Sequence, residues 1–186
     1  MKRLFDLLIG LILLFLLAIP MILIALSVRL TSRGPILYWS NRIGQGNVIF
    51  QMPKFRSMLV NTPVIATHLM TDPHVFLSPI GGFLRRYSVD EFPQLFSILK
   101  GEMSFVGPRP ALFNQNDLID LRKERGVDYL VPGLTGLAQV NGRDELSIQD
   151  KVALDVKYMQ CQSFWFDLKI LWTTFLRVVK SDGVSH

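Results

Sequence analysis

Residues 7–26, LLIGLILLFLLAIPMILIAL, carry no charge over twenty positions. A straight helix of that length reaches about 30 Å, enough to cross the hydrocarbon core of a bilayer. A cleaved signal peptide fits less well, because the apolar core is too long and no small-x-small site follows it. Pro20 removes one backbone donor and disfavours helix at Ile19, so a kink is expected inside the run. Lys2 and Arg3 precede the run, while Arg29, Arg33 and Arg42 follow it, which gives both flanks a cytoplasmic character. Two dispositions remain. One is a kinked span; the other is a re-entrant helix that bends at Pro20 and leaves by the face it entered, which accounts for the proline and the flanks together.

The remainder suits one domain on the cytoplasmic face. The chain has 186 residues, 49% of them hydrophobic, and can bury a core. Its net charge of +5 suits an anionic partner, whether nucleic acid, phosphorylated metabolite or acidic lipid. Cys161 is the only cysteine, so no intramolecular disulfide forms. His68 and His74 fall in a proline-punctuated stretch and are read as surface residues.

Residues 36–40 and 48–52 are β-prone runs joined by NRIGQGN, a predicted hairpin. Residues 62–79 read as a loop with short helical turns. Helices are predicted over 80–86, 90–99 with Gly101 as stop, 114–125, 147–159 and 164–180, with a Gly-rich loop at 132–142. In the last helix Lys169, Thr173, Arg177 and Lys180 share one face. Trp165, Leu168, Leu171, Trp172, Phe175, Leu176 and Val179 share another, a pattern suited to the membrane interface or to packing on a core.

Residues 88–94, SVDEFPQ, place two carboxylates before a proline. Pro93 is tolerated only inside a first turn, which puts Asp90 at a helix N-terminus. There the helix dipole favours either an ionised cap or a nearby phosphate. As a cap, Asp90 is ordinary; beside an anion it is a nucleophile toward phosphorus, with Glu91 free to hold a metal ion. A cap replaced by Asn keeps most of its function, so Asp90→Asn is expected to cost at most roughly 1 kcal/mol. GPRP at 107–110 presents Arg109 between two prolines, suited to bidentate phosphate binding. PGLTGLAQVNGR at 132–143 lets backbone approach a ligand and ends in Arg143. KFRSM at 54–58 adds Lys54 and Arg56. Each motif taken singly also fits a rigid turn, a tight loop or a solvated strand end.

Together, KRLFDLL, KFRSM, RRYSVDEFPQLFSILKGEMSFVGPRP, PGLTGLAQVNGR and FDLKIL resemble the bacterial sugar transferases, the monotopic phosphoglycosyl transferases, over nearly the whole chain. The resemblance implies a mainly helical α/β fold with a small β-hairpin: a membrane-inserted helix over 1–33 broken at Pro20, and a catalytic domain over 34–186 with interfacial amphipathic helices. The length resembles that of the small members. The resemblance further implies that Asp90 attacks the β-phosphate of a UDP-sugar and releases UMP, and that polyprenyl (undecaprenyl) phosphate then accepts the phosphosugar at the bacterial inner membrane. Glu91, with Asp90, matches the Mg²⁺-binding or orienting position. Arg85, Arg109, Lys54, Arg56 and Arg143 match phosphate-binding positions, and no nucleic acid partner is implied.

Val131 stands where the family commonly has arginine, Phe92 where it has leucine, and Ile19 where it has serine before the proline. Two other classes fit parts of the pattern. A phosphohydrolase would use the same aspartate with water as acceptor, and a basic membrane-anchored binding module would leave Asp90 and Glu91 without a role.

Overall fold

The uncharged run forms most of α1 (Lys2–Thr31), a single helix of 30 residues that continues through Pro20. The structure, a computed structural model, describes residues 1–63, 72–142 and 145–180. Pro20 does not divide the helix. Its missing N–H leaves one carbonyl a turn earlier without a helical donor, and the turns on either side hold.

By length and composition α1 could cross a membrane. One face of it nevertheless packs on the body from end to end. Phe5, Ile9, Leu13 and Leu17 meet the main core, while Met21, Ile24, Ala25 and Val28 meet a second cluster built on Phe55 and Leu84. The opposite face, with Leu8, Phe15, Ile19 and Leu23, is exposed.

Polar contacts fix both ends of α1 to that same body. Lys2 Nζ donates to the Val106 carbonyl and to Asp167, and Arg3 donates to the carbonyls of Ile98 and Leu99. Asp6 is buried and accepts from Ser104 Oγ and the Phe105 amide. At the far end Arg56 donates to the Ser32 and Arg33 carbonyls and to Ser32 Oγ. A helix roughly 45 Å long is therefore held at both ends by one domain.

The predicted hairpin is present with longer strands. β1 (Leu37–Ile43) and β2 (Ile49–Phe55) pair antiparallel, Leu37 opposite Phe55 and Ile43 opposite Ile49. The turn is tighter than NRIGQGN suggests, because Gly46 and Asn47 take left-handed φ values of 65° and 61°. Pro53 lies opposite Trp39, a position tolerated in a two-stranded ladder. Lys54 therefore belongs to β2 itself.

The helices follow the predicted order. They are α2 (Gly81–Arg86), α3 (Gln94–Lys100), α4 (Asn116–Glu124), α5 (Ile148–Cys161) and α6 (Phe164–Lys180). Gly101 ends α3 with φ 92°, and Ser147 caps α5 by accepting from the Asp150 amide. The helix expected from residue 90 starts four residues later; a single 3₁₀ turn, Val89–Glu91, precedes it. Of the loop over 62–79, a 3₁₀ turn at Pro73–Phe76 is present, while residues 64–71, His68 among them, lie outside the described residues.

The sequence reading did not anticipate β3 (Ser104–Val106) and β4 (Gly133–Thr135), which pair in parallel. Part of the Gly-rich loop is thus strand. The ladder needs glycine where it is closest, since a Cβ on Gly133 would fall 2.1 Å from the Gly107 nitrogen. Met52, Leu95, Ile98, Phe105, Tyr158 and Ile170 form the main core beside these short strands.

α6 packs through Asp167 and Ile170, both buried, and Thr174 bonds Thr135. The tryptophans of its apolar face do not pack on the core, being 78% (Trp165) and 62% (Trp172) exposed, whereas Leu171 of the same face does. Phe164 and Phe5 meet edge to face at 5.5 Å, which joins the start of α6 to the start of α1.

Candidate active site

Asp90 is set by a sharp turn in the chain. Ser88, at φ 53° and ψ 21°, turns the backbone off α2 into the Val89–Glu91 turn. Val89 and Phe92 then pack against the Val28, Phe55 and Leu84 cluster and hold the turn in place. Between them Asp90 is 6% exposed and lines a cavity of about 290 Å³. Neither the 3₁₀ turn nor α3 receives a side-chain cap hydrogen bond, so Asp90 does not serve as a cap.

Glu91 faces different partners. Lys54 Nζ donates to Glu91 Oε1 at 2.7 Å, and Arg109 Nη2 reaches the same oxygen at 3.4 Å. The lysine contact is the stronger of the two by geometry. Lys54 extends from β2, Arg109 from the loop after β3, and the carboxylates from the turn between α2 and α3. The chain thus brings together three segments that are far apart in sequence.

Burial dominates the electrostatics of this group. It pushes the Asp90 carboxyl up to about 6, reinforced by Glu91 and opposed by Lys54, Arg85 and Arg109. Burial likewise holds the Lys54 ammonium below its usual range, although Glu91 and Asp90 pull the other way. At neutral pH Asp90 is therefore mainly ionised, as a carboxylate that its surroundings stabilise poorly.

Of the residues expected to bind phosphate, Lys54, Arg56, Arg85 and Arg109 all line the cavity with Asp90. Arg56 is buried, and its two Nη atoms are engaged by the end of α1, so it contributes charge more than a free fork. Arg143 lies outside the described residues. The sequence reading missed Arg42, Arg122 and Lys151, which also line the cavity. Arg42 counted there only as part of the basic flank, and Arg122 and Lys151 are single charges on helices, with no local signal.

The loop carrying Arg109 is firmly held. The Gly107 amide donates to Thr135, the Gly133 amide to Pro108 and the Ile43 amide to Ala111. β4 and β1 thus grip the two ends of GPRP and realise the rigidity that its prolines suggest.

Among the described residues no group of three or more His, Cys, Asp or Glu could hold a metal ion. Asp90 lines the cavity, while Glu91 Oε1 is engaged by Lys54 and Arg109, so a Mg²⁺ ion there would need oxygens of a phosphate-bearing ligand besides these carboxylates. A buried carboxylate on the wall of a cavity rich in cations suits attack on a phosphorus centre that carries several negative oxygens.

The model of the family described as bacterial sugar transferase matches residues 1–181. The undecaprenyl-phosphate glucose phosphotransferase of Komagataeibacter xylinus is 41% identical over 97% of this chain and 36% of its own length. EpsL of Bacillus subtilis, a sugar transferase without a characterised activity, is 38% identical over 100% of this chain and 91% of its own. The UDP-glucose:undecaprenyl-phosphate glucose-1-phosphate transferase of Escherichia coli is 37% identical over 95% of this chain and 40% of its own. The chain thus spans well under half the length of the first and third of these relatives and most of the second.

Proposed function

The chain belongs to the bacterial sugar transferase family, and from that membership and the site we propose that it moves a phosphosugar from a UDP-sugar to polyprenyl phosphate through Asp90. A carboxylate oxygen of Asp90 attacks the β-phosphorus, the bond from that phosphorus to the bridging oxygen breaks, and UMP leaves with the electron pair. An oxygen of polyprenyl phosphate then attacks the same phosphorus. The Asp90–phosphorus bond breaks, releasing the polyprenyl diphosphate sugar and restoring the carboxylate. The observation that carries this reading is Asp90 itself, buried on the cavity wall beside Lys54, Arg85 and Arg109 and capping no helix.

Arg85, Arg109 and Lys54 bind the diphosphate oxygens, Arg56 adds charge, and Arg143 is assigned the same task from its motif. Glu91 holds Lys54 and Arg109 in place and, with Asp90, would hold Mg²⁺ together with diphosphate oxygens. When bound, the metal offsets the repulsion between the diphosphate and the nucleophile.

We assign this chemistry to the cytoplasmic face of the bacterial inner membrane, with α1 and α6 as the elements that would meet the lipid. Because both ends of α1 contact one body, an α1 embedded in one membrane face fits its packing better than a span with ends on opposite faces. The exposed tryptophans of α6 suit the interface. Cysteines placed before Leu4 and after Arg33 should label from one side only; opposite-side labelling would contradict this topology.

The reaction is tested by following UMP release from a set of UDP-sugars with Mg²⁺, with and without polyprenyl phosphate. Sustained UMP release should require the lipid acceptor, and chelation should stop it. Sustained release with water as acceptor would make the protein a phosphohydrolase, and no release with any UDP-sugar would leave a binding module.

A further inference from the structure

Three successive carbonyls of the GPRP segment are each bound from a different part of the fold. The Gly133 amide donates to Pro108 O at 2.8 Å, Arg122 Nη1 to Arg109 O at 2.8 Å, and Arg42 Nη1 to Pro110 O at 3.1 Å. The middle contact is the most elaborate. Arg122, on α4, also donates from Nε and Nη2 to Asp155 Oδ2 on α5, at 3.0 and 2.7 Å. Asp155 is 1% exposed.

From this geometry we propose that Arg122, oriented by Asp155, is a positioning residue that fixes the backbone of Arg109 and so aims the Arg109 guanidinium at the diphosphate of the donor. The assignment rests on the donor reading above. A buried pair that only joined α4 to α5 would need no third partner. Here the guanidinium keeps one nitrogen for the carbonyl of the residue whose side chain reaches Glu91. Arg is suited to this task because its planar fork serves a carboxylate and a carbonyl at fixed angles, which a lysine ammonium does not. Anion binding by Arg109 depends on that geometry being set before the ligand arrives.

The test is a double-mutant cycle read by binding of UDP in the presence of Mg²⁺ to the full chain in detergent. Replacing the pair together, Arg122→Met with Asp155→Leu, removes both charges and leaves no buried ion without a partner. If positioning acts through Arg109, the paired replacement weakens UDP binding about tenfold in the otherwise unaltered chain and less than about twofold in an Arg109→Ala background. Equal weakening in both backgrounds, or none in either, overturns the proposal. Should the paired variant fail to fold, Arg122→Lys in the same cycle keeps the charge beside Asp155 and loses the fork, and the same outcomes apply. Failure of the unaltered chain to bind UDP would sink the donor reading and this inference with it; UDP binding with an additive cycle would sink this inference alone.

Discussion

Asp90 and Asp155 are both buried carboxylates, and burial pushes both upward from the ordinary carboxylate range. Their surroundings differ in kind. Asp155 is 1% exposed and accepts two charge-assisted hydrogen bonds from Arg122 between α4 and α5. Asp90 lies among cations that line a cavity, and among the described residues no such fork closes on it. The same side chain is thus closed off by a guanidinium in one place and left facing a cavity in the other, where the proposed attack needs it.

The sharpest way to break this comparison is to neutralise each carboxylate. Asp90→Asn should remove activity by about a thousandfold or more, because an amide does not attack phosphorus, and the protein should remain folded. UMP release together with a thermal melt measures both, and a folded, active variant would erase the distinction. Asp155→Ala should act first on the fold. It leaves Arg122 buried without its counter-ion and should cost roughly 3–5 kcal/mol in denaturant unfolding.

Stability against pH sharpens the contrast. The folded protein holds a proton on Asp90 up to about pH 6, whereas the unfolded chain releases it in the ordinary carboxylate range. Asp90 thus stabilises the fold below that range, and the stabilisation is lost as pH rises through about 6. Asp90→Asn should therefore be more stable than the native chain at pH 7, by roughly 1–3 kcal/mol, and the difference should vanish near pH 4. This reverses the sign expected of a cap. In the native chain, UMP formation should fall as pH drops through the same region, because the carboxylate is the attacking form. The smallest effect on the fold concerns α6: Trp172→Ala should leave the melting temperature within a degree or two while weakening partition into anionic vesicles, since Trp172 is exposed.

Features with a long or local signal were legible in the sequence. The uncharged run announced α1, the Gly101 stop ended α3, and residues 164–180 gave α6 at its full length. Features that depend on a partner distant in sequence were not. β3 and β4 have three residues each, too few to show a strand period, and their close approach depends on Gly133, where a Cβ would meet the Gly107 backbone just beyond β3. The turn at Asp90 was read as the start of a helix because propensity cannot see that Ser88 adopts a left-handed backbone. Lys54, Glu91 and Arg109 were each visible as motif residues, yet their shared contact was not. Arg122 and Asp155 carried no motif at all, since a single charge on a helix looks solvated until the opposing helix is placed against it.

The central claim, that Asp90 is the nucleophile, is tested most directly by intact-protein and peptide mass spectrometry after acid quenching of the chain with its UDP-sugar and Mg²⁺ and no lipid acceptor. The account predicts up to one phosphosugar per chain on the peptide containing Asp90, with a matching amount of UMP, and no adduct on Asp90→Asn. An adduct on another residue, or lipid-dependent turnover by a folded Asp90→Asn, would contradict it.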